Sequence, residues 1–285
     1  MMGRRGRNSI ISFFRWGFRV GVLLVFIGVL SGCVTVSPSF IPASPLLTNQ
    51  VVAQLQAKEE RIKTLKGLFR ISLSGGGIPM AQDLDGVLFY RRPDTVQLRG
   101  FTRMGGVVFN FVRIHEQYRL QIPPAGRLIQ GRVVDLDGSD EGMSQLVLLS
   151  MRAMDAILGR IEGIQSKAVL LLTEGGQFRV DVHANSFTTR LWVDKHTMDV
   201  VRVEYVAEEG DPMVTVICEN FKAIPSSPSG EGAGIRLPFH LKAEDQRQSG
   251  SMTLDFQELV ANQSLVKKRG ITAVRRLRVE EVVPQ

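Results

Sequence analysis

The chain has few of the residues that build disulfide scaffolds and catalytic centres: 285 residues hold two cysteines and four histidines. Two cysteines exclude a disulfide-dense framework. His115, His183, His196 and His240 show no HExxH or other close metal spacing, and neither a GxSxG elbow nor a GxxxxGK[ST] loop occurs. No enzyme activity, metal or cofactor is therefore expected. The acidic stretch DLDGSDEG, residues 135–142, has its glycine too early for an EF-hand and puts Leu146 where that loop needs Glu. Ser139 or Asp140 can instead cap a following helix. A long membrane-spanning run is also missing. Residues 20–30 carry no charge, but as a helix they rise only about 16 Å, half of the ~30 Å hydrocarbon core.

What is present around that short apolar run has the plan of a secretory signal. Arg4, Arg5, Arg7, Arg15 and Arg19 precede it, and Leu30, Ser31, Gly32 and Cys33 close it. The last four residues resemble the bacterial lipobox, which implies removal of residues 1–32 and a lipidated Cys33 at the start of the mature chain. One acyl chain binds a bilayer only marginally, whereas two or three anchor stably at about 0.8 kcal/mol per buried CH₂. Val34 stands where an Asp retains enterobacterial lipoproteins in the inner membrane, so the periplasmic face of the outer membrane is expected.

Without this leader the charge balance falls from 35 basic and 28 acidic residues to 30 against 28. No nucleic-acid partner is expected from so even a balance. Lys267, Lys268, Arg269, Arg275, Arg276 and Arg278 form a basic C-terminal segment over 263–285, read as a solvated tail or a contact for anionic headgroups. Cys218 sits in the apolar run MVTVICENF and reads as a buried structural thiol.

Residues 33–50 are rich in Pro and Ser and read as a tether. Val51, Leu55, Ile62 and Leu65 then mark one face of an amphipathic helix. Short alternating runs follow, from Phe69, Ile71 and Leu73 to residues 251–256, separated by Gly, Asp, Asn or Pro. About eleven strands at this spacing predict a meandering antiparallel sheet curled into all or part of a barrel, a mainly β (α+β) fold. The run is interrupted by MSQLVLLSMRAMDAILG, residues 143–159, a helix apolar on more than one face and so destined for burial. The strand 107–114 is apolar on both faces, as a covered core strand or as the wall of an apolar cavity.

Lipobox, linker, the segment IKTLKGLFRISL, a hairpin, GVLFYRRPDTVQLRGFTRMGG, the helix ending in ILG, and LPFHLKAED before MTLDFQEL together resemble the LolA/LolB lipoprotein-localisation family over residues 51–262. The lipobox resembles its outer-membrane-anchored receptors. The resemblance implies an incomplete antiparallel β-barrel closed by helices, whose apolar cavity receives acyl chains of lipoproteins or other lipids from a periplasmic carrier, the protein acting as a monomer. Phe101, Val107, Phe109 and Phe111 from the sheet, with Met143, Leu146, Val147, Met151, Met154 and Ile157 from the helix, are the expected lining. Met104 in TRMGG takes the place of the family's protruding membrane-contact residue, with Ile78 and Met80 of GGGIPM as the rival tip. The alternative is an anchored periplasmic interaction or sensor module whose barrel is filled by its own side chains.

Overall fold

The computed structural model describes residues 41–75, 82–133, 142–160, 169–174, 176–183, 187–208, 210–225, 234–247 and 249–263. Cys33 with the leader, Ile78, Met80 and the basic cluster Lys267–Arg278 lie outside the described residues, as do the side chains of Met143 and Leu146.

The ordered architecture begins earlier than expected. β1 (Ile41–Pro42) pairs with β8 (Val169–Glu174), and α1 (Pro45–Glu60) begins inside the stretch read as a tether, residues 33–50. The Ser44 hydroxyl accepts a hydrogen bond from the Leu47 amide at 3.3 Å and Pro45 occupies the first turn. A Ser-Pro pair that has linker composition is here a helix start. α1 buries Val51 and Leu55 but stops at Glu60, and Leu65 belongs to the next strand.

The strands then run β2 (Thr64–Ser74), β3 (Gln82–Arg91), β4 (Thr95–Phe101), β5 (Val107–Ile114), β6 (Gln117–Ile122) and β7 (Arg127–Arg132). After α2 (Gly142–Leu158) come β8, β9 (Gln177–His183), β10 (Phe187–Asp194), β11 (Val200–Ala207) and β12 (Pro212–Glu219). A short hairpin of β13 (Lys222–Ile224) and β14 (Ile235–Leu237) precedes β15 (His240–Asp245) and β16 (Gly250–Ala261).

Fourteen of these strands form one antiparallel sheet, in the order β1-β8-β9-β10-β11-β12-β15-β16-β2-β3-β4-β5-β6-β7, which does not close on itself. The protein is mainly β, an incomplete barrel with two helices against its core face. About eleven strands were expected. β7 escapes sequence reading because it is an edge strand with only Ile129 and Gly131 half-buried, so it lacks an apolar alternation. The run 213–221 ends early because Asn220 takes φ 55°, and 235–242 divides at Pro238–Phe239.

Strand register stacks the core face into rows. One runs Leu259, Gly67, Leu88, Leu98, Phe111, Leu120 and Ile129. In the neighbouring row Phe69 and Phe109 flank Gly86 and Gly100. A Cβ on Gly86 would meet the Phe69 ring at 2.3 Å, and one on Gly100 the Phe109 ring at 2.2 Å. Glycine lets each ring lie flat over the neighbouring strand, which brings aromatic area to the middle of the sheet.

Candidate functional site

α2 is the element that gives the core face its character. It lies against β11, β12, β15 and β16, and from Val147 to Leu158 only Leu148 and Asp155 escape full burial. A helix covered on all sides explains why its apolar residues follow no single stripe. Its Gly159 takes φ 63° and its amide donates to the Ala156 carbonyl at 3.1 Å, ending the helix where expected.

Of the expected lining, Phe109, Phe111, Val147, Met151, Met154 and Ile157 belong to one continuous core, each 3% exposed or less. Phe101 is buried and Val107 half-buried, both outside that core, next to the register shift between Gly100 and Phe101. The shift makes Val108, not Val107, the residue that packs inward.

The charged groups of this interior were not anticipated. Arg152 is 5% exposed, with its guanidinium 4.1 Å from the Tyr205 ring and 5.0 Å from Phe187. Burial pushes the Tyr205 phenol well above its usual range, opposed by the Arg152 charge. At the C-terminal end of α2, Asp155 lies 3.6 Å from Arg113, and Arg160 pairs with Asp94, which His115 approaches at 3.6 Å. These contacts fasten one end of the helix to β5 and to the β3–β4 turn. A charge at Arg113, on the apolar face of Phe109 and Phe111, is the sequence signal that could have revealed the junction.

Glu59, at the end of α1, faces the same junction. Burial raises its pKa above 4.5, with Arg160 and Arg92 working against the rise. Because the folded carboxyl binds its proton more tightly than the unfolded one, its contribution favours the fold at low pH and is lost as pH rises from 4.5 towards the raised value. Glu59→Gln is therefore expected to raise the melting temperature at pH 7 and to leave it unchanged below pH 4. An equal effect at both pH values in thermal melts would contradict this.

Cys218 is packed in the core on β12, and burial pushes its thiol up to about 12. Among the described residues no group of His, Cys, Asp and Glu could hold a metal ion.

The β4–β5 connection presents Met104 fully exposed. Its turn is tight: the Gly106 amide donates to the Thr102 hydroxyl at 3.1 Å and the Gly105 amide to the Thr102 carbonyl at 2.8 Å. Gly105 supplies the positive φ of 85° that this needs.

Solved structures resemble this arrangement. A DUF1329 family protein from Desulfovibrio piger aligns with TM-score 0.57 at 8% identity, over 78% of this chain and 94% of that one. That likeness is one of fold. An outer membrane lipoprotein-sorting protein domain from Vibrio parahaemolyticus (TM-score 0.49, 12% identity, 78% and 95% covered) is a further neighbour. So is a LolA superfamily protein from Nitrosomonas europaea (TM-score 0.48, 11% identity, 75% and 94% covered). No family model matches the chain, and no curated protein matches it.

Proposed function

We propose that this protein is a lipoprotein anchored through Cys33 to the periplasmic face of the outer membrane, which shelters acyl chains between α2 and the sheet while lipoproteins or lipids are transferred. It performs no covalent chemistry. Residues 1–32 are its signal and 33–40 its tether, and Met104 is its contact with the bilayer. Each CH₂ exposed to water costs about 0.8 kcal/mol, so chains handed over by a periplasmic carrier need continuous cover.

The observation that carries the reading is an apolar, methionine-bearing helix laid across the core face of an open sheet. Thioether side chains adapt to chains of variable shape. In the conformation described, Met151, Met154, Phe109 and Phe111 are nearly fully buried. Acyl chains therefore enter only as α2 moves off the sheet, and the Arg113–Asp155 and Arg160–Asp94 pairs resist that movement. The same burial favours the second reading, an interaction or sensor module with a filled interior.

Native mass spectrometry of the full chain purified from cells, with uptake of a fluorescent fatty acid, separates the two. Expected are co-purified acylated species and uptake several-fold faster in Asp155→Asn, which releases the helix end. A folded chain that is empty and takes up no fatty acid leaves the interaction module.

A further inference from the structure

The outer face of the sheet divides into two halves of opposite character. On β9–β11, Asp181 and Glu204 are only 5% and 8% exposed, although they point away from the core. Asp181 meets Arg179 at 3.1 Å and Arg190 at 3.5 Å, and Glu204 meets Arg190 at 3.7 Å and also pairs with Arg202. These charges are paired with one another.

On β2–β7, among the described residues, four outward cations lack such a counter-charge. Within β2–β7 the three outward rows that register defines, through Lys66, Leu68 and Thr64, carry Lys66, Arg91, Arg99, Arg119 and Arg132 and no carboxylate, and the Leu68 row meets one, Glu258, only where it passes into β16. Among the described residues, Lys66, Arg91, Arg99 and Arg119 have no acidic group within 4 Å. The acids of β3 lie outside these rows, Asp83 bonded by Ser72 and Asp85 paired with Arg70. Between the cations stand Leu68, Val87, Phe89, Val112, Ile114 and Leu128, half-buried or exposed and none part of the core. Sheet faces turned to water ordinarily alternate charges of both signs or neutral polar groups.

We propose that this face docks on the surface of an anionic bilayer. The chemistry is complementary: guanidinium and ammonium groups meet headgroup phosphates, while the aliphatic side chains between them sit at the depth of the acyl boundary. A single-stranded nucleic acid would require a series of stacking aromatics, and these rows offer only Phe89. Met104 stands at the tip of the hairpin joining β4 and β5, two of the strands of this face. Docking here rests on the membrane-anchored reading above and adds to it an orientation, with β2–β7 towards the lipid and β9–β11 towards the periplasm.

The test is arginine footprinting of the full chain in vesicles, using a dicarbonyl reagent and mass spectrometry. Phosphatidylcholine vesicles with about one-third phosphatidylglycerol are compared with pure phosphatidylcholine. Expected is roughly tenfold slower modification of Arg91, Arg99 and Arg119 on the anionic vesicles, reversed by high salt, with exposed Arg202 unchanged. In the Arg99→Gln, Arg119→Gln variant, whose changes lie outside the core, the protection of Arg91 is expected to disappear. Equal protection on both lipids, or protection already present without vesicles, would overturn the proposal. Protection conferred only by an added acidic protein would do the same and point to a protein partner. Fatty-acid uptake by the same preparation keeps the two readings apart, because uptake retained without protection removes only the docking face. Protection without uptake removes only the acyl-chain site.

Discussion

Truncating Phe111 to Ala is expected to destabilise the protein by about 3–5 kcal/mol, lowering the melting temperature by roughly 10 °C. Phe111 is 1% exposed and stands in the core row between Leu98 and Leu120, with Leu88 and Ile129 beyond them. A strand pinned by its neighbours cannot collapse into the space a lost ring leaves, so the cavity adds to the lost transfer free energy. The measurement is urea unfolding followed by circular dichroism. A loss below about 1.5 kcal/mol would show that the core yields around this position, the behaviour of an adaptable wall and not of a packed core.

Asp199→Ala is expected to cost about 3 kcal/mol and to free α1 from the sheet. The Asp199 carboxylate, 2% exposed, receives Lys58 of α1 at 2.6 Å and Arg236 of β14 at 2.9 Å. It therefore joins the first helix, the loop between β10 and β11, and the small β13–β14 hairpin. Removing one partner of a buried pair leaves uncompensated charge, which typically costs about 3–5 kcal/mol. Arg236 is 44% exposed and Lys58 22%, so both cations can turn towards water and the cost falls at the lower end. Amide exchange within α1 should accelerate more than exchange in β2 or β16. Uniform acceleration would show that the carboxylate supports the whole fold and not the helix.

Strand alternation made the sheet legible, because each two-residue period in Phe69, Ile71 and Leu73 or in Val96 and Leu98 reports one buried face. The same physics hides β7, whose solvated edge imposes no alternation. It also misassigned the start of α1, since Ser and Pro serve linkers and helix caps alike. In α2 the apolar excess correctly announced burial, and Met151 and Met154 lie in the core. The ion pairs at its end join residues 42 and 66 positions apart, Arg113 with Asp155 and Asp94 with Arg160. No local period links such partners.

By itself the sequence determined the mainly antiparallel β architecture, the buried second helix with its glycine stop, and the buried Cys218. Each of these follows from residue type and short-range periodicity. Tertiary structure alone decided the order of the fourteen strands, the clamp on Asp199, the junction that holds α2, and the division of the outer face into a charge-paired half and a cationic, apolar half. These depend on which distant strands become neighbours, and cross-strand pairing brings together side chains that the sequence keeps far apart.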